Sequence, residues 1–186
     1  MASYYDFHST VAQLEGGFQK IASDPGNYNT RNELVGTNHG VSAPVYEQWL
    51  GYPPSEADMR AMSKTDAKEI FKGQYWNRLS ANYINSQAVA ETLVDMGINA
   101  GVGTAAKLMQ RVLNDKFNMR LRVDGAIGPL SIEAINSVDA TRLFQEYNDA
   151  RIKYYETRSN TEWIPIWINR VKKIANKFGV ELKKKA

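Results

Sequence analysis

The stretch of residues 24–42 constrains the fold most, because its composition rules out a helix there. It begins with Asp24-Pro25-Gly26-Asn27, which is a turn signature, and asparagine and glycine recur throughout the residues that follow. The short segments 28–30 and 33–35 alternate in a way that predicts a small β-hairpin. Such an insert often carries functional residues, and a plain surface loop is an equally good interpretation.

The rest of the chain has the apolar spacing of helices. Phe7, Val11 and Leu14 form one stripe in residues 3–15, and Gly16-Gly17 ends that predicted helix. After residue 42 the pattern is helical to the end of the chain. Its strongest apolar stripe, in residues 105–113, predicts a central buried helix.

Most of the later helices begin at a capping side chain or a first-turn proline. Ser55 with Asp58, and Ser63 with Asp66, have the spacing of capping boxes. The predicted starts are Pro44, Ser55, Ser63, Ser86, Pro129, Asp139 and Pro165. The sequence therefore predicts a mainly α (α+β) fold, a helical bundle with one small hairpin insert near residues 24–42.

The composition excludes several kinds of site. The 186 residues fit one domain, and a hydrophobic content of 43% is enough for a core. The chain has no cysteine, which rules out disulfides and thiolate metal sites. His8 and His39 are its only histidines, which argues against a multi-histidine zinc centre. We expect neither a metal nor a cofactor.

Charge and hydropathy narrow the expected partners. The net charge of +3 comes partly from the Lys183-Lys184-Lys185 tail, and no basic stripe is interleaved with aromatic residues, so nucleic acid is not an expected partner. No apolar run approaches the roughly 18 residues of a membrane span, so no stable membrane insertion is expected. Residues 1–8 lack the pattern of a secretory signal, which predicts synthesis in the cytoplasm. We expect a monomer.

Two acids stand at the edges of the turn-rich insert. Glu15 ends the first predicted helix, where the negative pole of the helix dipole pushes a carboxyl pKa upward, as a general acid requires. Asp24 lies in a polar turn, where it stays ionised. Glycosidases use such a pair, although Glu-Gly-Gly is also an ordinary helix C-terminus with a solvated acid.

The motifs around these acids resemble a known family. The stretch LEGGFQKIASDPGNYN, followed by GTNHGVSAPVYEQW, is similar to the N-acetylmuramidases of glycosyl hydrolase family 108. The second half, with DMGINAGVGTAAKLMQRVL, VDGAIGPLSIEAI and a closing WINRVKKIA, resembles the associated peptidoglycan-binding region. The resemblance implies a lysozyme-like fold over residues 1–186 as a single domain, with a catalytic half at 1–90 and a helical half at 91–186.

The resemblance also implies the catalytic residues. Glu15 falls on the catalytic acid of the family, and Asp24 falls on the acid that follows it. In phage-type lysozymes a threonine follows the two acids as a third catalytic residue, and two threonines of this chain could take that role. Thr30 has the spacing found in phage-type lysozymes, whereas Thr37 has the local context, and we favour Thr37 because context survives loop insertions better than spacing.

Three further residues are expected to bind substrate. These are Thr30, His39 in the GTNHGVS segment, and Asn99 in the GINAG run. For Asn99 an equally good interpretation is a helix-terminal asparagine that bonds to the local backbone.

The implied function is hydrolysis of the β-1,4 bond between N-acetylmuramic acid and N-acetylglucosamine in bacterial peptidoglycan. Glu15 would protonate the leaving oxygen, and Asp24 would orient water or stabilise positive charge. The alternatives are a lytic transglycosylase, which uses no water, and a non-catalytic module that binds the cell wall. A chain of this kind resembles a phage endolysin, which reaches the wall after release, and a host enzyme exported by another route is the second possibility.

Overall fold

The computed structural model describes residues 1–7, 17–159 and 161–182, and most of these residues are helical. The chain divides into two units. The N-terminal unit is Tyr4–Gln74, and the C-terminal unit consists of Met1–Ser3 with Tyr75–Ala186. The expected single domain with halves at 1–90 and 91–186 stays a prediction.

Short helical segments begin within the insert of the N-terminal unit and continue after it. In chain order they are the 3₁₀ turn Pro25–Asn27, α1 (Ala43–Leu50), α2 (Glu56–Ala61), α3 (Lys64–Phe71) and the π-helical segment Lys72–Asn77. Both predicted capping boxes are confirmed, because each serine accepts from the aspartate N–H and each aspartate accepts from the serine N–H. These bonds, led by the serine hydroxyls, hold the pKa of Asp58 and Asp66 below their usual range.

The predicted hairpin is reduced to a single pair of residues. Tyr28 and Leu34 form an isolated antiparallel bridge, and the insert contains no longer strand among its described residues. The cause is Asn29, whose side-chain oxygen accepts from the N–H groups of Arg31 and Glu33, each at 3.0 Å. This local bonding competes with a strand ladder and closes the segment into a turn.

The described part of the C-terminal unit has five α-helices. They are α4 (Gln87–Ala100), α5 (Val102–Phe117), α6 (Pro129–Ser137), α7 (Ala140–Glu156) and α8 (Ile164–Lys177), with 3₁₀ turns at Ala81–Tyr83 and Thr161–Trp163. The predicted starts near Ser86, Pro129, Asp139 and Pro165 are confirmed. None of the helices in the described part of the chain is both long and apolar enough to cross a membrane.

The most enclosed helix is α4, not α5 as the apolar stripe predicted. Every residue of α4 from Val89 to Gly97 is buried, and the helix packs against α5, α7 and α8. In α5, Leu108 is only half-buried. The prediction was wrong because α4 carries charged residues on its buried surface, and these break the apolar pattern without exposing the helix.

A buried charge network explains how α4 tolerates those residues. Asp95 is 1% exposed and Arg151 is fully buried. Asp95 accepts from Arg151 Nη2 at 2.5 Å and from Arg170 Nη2 at 2.6 Å, so the network joins α4, α7 and α8. Burial alone would raise the pKa of Asp95, but Arg170 and Arg151 hold it below its usual value. Glu91 makes a second such link, to Lys177 at 2.7 Å.

Replacing Asp95 tests this network. Asp95→Asn leaves two arginines without their counter-charge, so we expect a loss of about 3–5 kcal/mol in the free energy of unfolding at pH 7, measured by urea denaturation. Because the folded-state pKa of Asp95 lies below the unfolded value, its contribution is present above pH 3.8 and fades as the pH falls below it. The cost of the substitution should shrink accordingly in acid.

The pair of the half-buried Asp149 and the exposed Lys153 provides the control. Asp149→Asn should change the free energy of unfolding by less than about 1 kcal/mol. Equal costs for Asp95→Asn and Asp149→Asn at pH 7 would contradict the role given to the buried network.

Candidate active site

Asp24 begins the 3₁₀ turn that opens the insert. Its Oδ1 accepts from the N–H of Gly26 at 2.8 Å, as an N-cap does, and its Oδ2 accepts from Gln19 Nε2 at 3.4 Å. The side chain is half-buried. A carboxylate held in this way keeps further lone pairs with which to accept a hydrogen bond from water or from substrate.

A pair of side-chain amides fixes the loop around Asp24. Gln19 Nε2 donates to Asn27 Oδ1 at 3.0 Å, and Asn27 Nδ2 donates in return to Gln19 Oε1 at 2.9 Å and to the Ile21 carbonyl at 2.8 Å. Asn27 is fully buried, and its own carbonyl accepts from the N–H groups of Val35 and Gly36. The amide pair thus joins the segment before Asp24 to the segment after it.

Thr37 belongs to the same arrangement. Its backbone pairs with that of Gln19 through two hydrogen bonds of 2.8 and 2.9 Å. Its Oγ1 donates to the carbonyl of Gly26 at 3.4 Å, and the N–H of Gly26 is the group that bonds to Asp24. Gly26 and Gln19 therefore each bond to both Asp24 and Thr37.

Thr30 has different partners. Its hydroxyl bonds to Glu47 Oε1, and its N–H donates to Glu47 Oε2 at 2.9 Å. The residue is exposed, and Glu47 belongs to α1. Of the two threonines that the sequence offers, the structure brings only Thr37 to the turn of Asp24.

His39 lies at the tip of a tight two-residue turn. Asn38 and Val41 form an isolated antiparallel bridge, and the two residues between them have positive φ values, 46° for His39 and 73° for Gly40. These angles are typical of a type I′ turn. The His39 N–H donates to Asn38 Oδ1 at 3.0 Å, and the residue is half-buried.

Two predicted site residues remain, Glu15 and Asn99. Glu15 and His8 lie outside the described residues. Asn99 belongs to the C-terminal unit, where its Nδ2 donates to Asp95 Oδ2 at 3.3 Å and to the Tyr155 hydroxyl at 3.4 Å. These partners are side chains of the buried network, not the local backbone.

Sequence reasoning missed the two amides that organise the site. Gln19 belongs to no motif that predicts a role for its side chain, and Asn27 stands in the sequence only as part of a turn signature. Their pairing joins residues eight positions apart in an irregular segment, so neither a helical nor a strand pattern in the sequence predicts it. Within the described residues, no group of three or more histidine, aspartate or glutamate side chains is arranged to hold a metal ion.

Two family profiles match the chain. The one described as Glycosyl hydrolase 108 covers residues 8–101, which is just over half of the sequence and includes every predicted site residue. The chain belongs to the glycosyl hydrolase 108 family. The profile described as Predicted Peptidoglycan domain covers residues 104–172. Together the two matches support a peptidoglycan hydrolase with glycosidase chemistry.

Solved structures show the same fold. Twelve chains match, among them SagA of Brucella abortus, which is 24% identical and aligns over 95% of this chain and 94% of its own with a TM-score of 0.82. This likeness confirms the predicted mainly helical fold class, which is consistent with a lysozyme-like fold. No curated protein matches the chain.

Gly36 offers a test of the close packing behind the site. Its φ is +98°, and a Cβ there would lie 2.7 Å from both the Gln19 carbonyl and the Phe18 ring. Gly36→Ala should therefore lower the free energy of unfolding by about 1–3 kcal/mol, measured by thermal or urea denaturation.

Gly103, in α5, is the matched control because an added Cβ would meet no atom within 4 Å. Gly103→Ala should be neutral or stabilising by up to about 1 kcal/mol. A Gly36→Ala variant as stable as the parent would contradict the packing described for Gln19 and Phe18.

Proposed function

We propose that this protein hydrolyses the β-1,4 bond between N-acetylmuramic acid and N-acetylglucosamine, with Glu15 as general acid and Asp24 and Thr37 as the groups that place water. Family membership supports glycosidase chemistry on peptidoglycan. The observation that carries the finer proposal is the joint placement of Asp24 and Thr37 by Gln19 and Gly26.

The two carboxyl groups take different roles. Glu15, at the C-terminal end of the predicted helix 3–15, is proposed to give its proton to the leaving oxygen, since the helix dipole favours its neutral form. Asp24 is proposed to act as the anion. With one hydrogen bond to each of its oxygens, it can accept a further hydrogen bond from a water molecule and direct that water at the sugar.

Thr37 is proposed to bind the same water. Among the described residues its hydroxyl bonds only to the Gly26 carbonyl, at 3.4 Å, and a hydroxyl can both donate and accept. Two groups that share Gln19 and Gly26 as partners can fix the position of a water molecule better than one group, which lowers the entropic part of the barrier. The site of action is then the bacterial cell wall.

Product analysis tests the proposed reaction. Purified peptidoglycan treated with the protein should yield fragments that end in a reducing N-acetylmuramic acid, identified by mass spectrometry. Glu15→Gln should slow their release by about 10²–10⁴-fold, because the leaving oxygen loses its proton donor. Asp24→Asn should cost less, since asparagine still caps the turn and only the charge is lost.

Other product patterns would overturn parts of the proposal. Anhydro sugars, lighter by one water, would identify a lytic transglycosylase. Binding to peptidoglycan without any release of fragments would identify a wall-binding module. A greater loss with Asp24→Asn than with Glu15→Gln would reverse the two assigned roles.

The two threonines provide a matched comparison. Thr37→Val removes the hydroxyl while keeping the shape, and we expect kcat to fall about tenfold because one hydrogen bond to water is lost. Thr30→Val should change kcat less than about twofold, since the Thr30 hydroxyl is already bonded to Glu47. Rates of muropeptide release measure both. The reverse order would assign the third position to Thr30.

A further inference from the structure

The segment VDGAIGP forms a turn built around one buried amide. Gln110 is 1% exposed, and its Nε2 donates to Asp124 Oδ1 at 2.8 Å and to the Ala126 carbonyl at 2.9 Å. Its Oε1 accepts from the N–H of Gly125 at 3.0 Å, and Gly125 has a φ of +85°. The turn is therefore rigid, although the proposed reaction assigns no role to it.

A hollow with two arginines opens beside this turn. Its volume is about 200 Å³, and its lining includes Gln110, Arg120, Arg122 and Asp124. Asn114 fixes the segment between the arginines, because its side chain bonds to both the N–H and the carbonyl of Leu121, at 2.8 and 2.9 Å.

The two arginines are available to a ligand. Both side chains are exposed, and neither makes a hydrogen bond or an ion pair with another described residue. Asp124 is the acid of the hollow, and its Oδ1 is occupied by Gln110 and by the N–H of Ala126. Two guanidinium groups against one carboxylate leave the hollow with one net positive charge.

A second hollow adjoins the first. It has a volume of about 480 Å³, shares Gly128 and Pro129 with the first hollow, and presents mainly apolar surface. Tyr83, 62% exposed, and Ile132 contribute to this surface, and Glu133 contributes an anion. A cationic hollow beside an apolar one suits a ligand that carries both an anionic group and apolar groups.

We propose that these two hollows bind the peptide stem of peptidoglycan, with a free carboxylate of the stem at Arg120 and Arg122. This inference rests on the proposed function for its substrate class. The stem carries carboxylates, which match paired guanidinium groups, and alanine methyl groups, which match the surface formed by Tyr83 and Ile132. A phosphate polymer of the wall would match the arginines but not the apolar hollow, so we assign the site to the peptide.

Binding of a soluble wall fragment tests the site. The probe is the disaccharide of N-acetylglucosamine and N-acetylmuramic acid with its tetrapeptide. Its one glycosidic bond starts at C1 of N-acetylglucosamine, whereas the proposed reaction cleaves the bond at C1 of N-acetylmuramic acid, so the probe is not a substrate. Isothermal titration calorimetry on the full chain should give a Kd that rises about tenfold in Arg120→Gln/Arg122→Gln, because charge-assisted hydrogen bonds are lost. The same disaccharide without its peptide should bind the unaltered protein correspondingly weakly.

Arg111→Gln/Lys173→Gln is the charge-matched control. Both residues are exposed and lie outside the two hollows. The control should change the Kd less than about twofold if the site, and not the overall charge, binds the stem. Amidating the carboxylates of the tetrapeptide should weaken binding to the unaltered protein about tenfold, which tests the contact without any substitution.

The outcomes separate this inference from the proposed reaction. Equal Kd values for the arginine variant, its control and the parent would overturn the peptide site, whatever the product analysis shows. Arginine-dependent binding without any cleavage of peptidoglycan would support the site and overturn the reaction. Tighter arginine-dependent binding of a glycerol-phosphate oligomer than of the tetrapeptide fragment would overturn the assigned ligand.

Discussion

Gln19 and Asn27 exchange hydrogen bonds through their side chains, and the loop that carries Asp24 and Thr37 depends on that exchange. An irregular segment has no ladder to satisfy its backbone groups, so side chains and single bridges must do so. Asn27 does this with its side chain, which bonds to the Ile21 carbonyl, and with its own carbonyl, which accepts from Val35 and Gly36. A loop held in this way can position a carboxylate and a hydroxyl without a sheet behind it.

In the C-terminal unit, ion pairs neutralise acidic residues that the fold buries. Its central helix, α4, is enclosed by three others, yet it carries Glu91 and Asp95 on its buried surface. Arg151 and Arg170 neutralise Asp95, and Lys177 neutralises Glu91. Asn99, which the family resemblance had placed at the substrate, bonds to this network. Its described side-chain contacts are to Asp95 and Tyr155, and its expected contact with substrate stays a prediction.

The turns of the two units share one design. In each, an amide side chain bonds to an aspartate that caps a tight turn: the half-buried Gln19 with Asp24, and the buried Gln110 with Asp124. The amide fixes the aspartate. The half-buried Thr37 belongs to the first arrangement, and the exposed Arg120 and Arg122 lie beside the second. Rigid turns of this kind are suited to binding because little conformational entropy remains to be lost.

Structural features that depend on residues close together in the chain, such as helix starts, are predictable from the sequence alone. Helix starts at Ser55, Ser63 and Asp139 follow from side chains that bond to the N–H three residues later, so a local pattern reports them. The motifs likewise indicated the family. They also predicted Asp24 and a threonine as catalytic residues.

Contacts between residues far apart in the sequence fix two other features, the threonine of the site and the identity of the enclosed helix. The tertiary structure brought Thr37 and not Thr30 to Asp24, because Gln19 pairs with Thr37 across the insert and Glu47 engages Thr30. It also made α4 the enclosed helix, because arginines from α7 and α8 neutralise its buried acid. Hydrogen bonds and ion pairs between distant segments produce no periodic pattern in the sequence, so only the folded structure shows them.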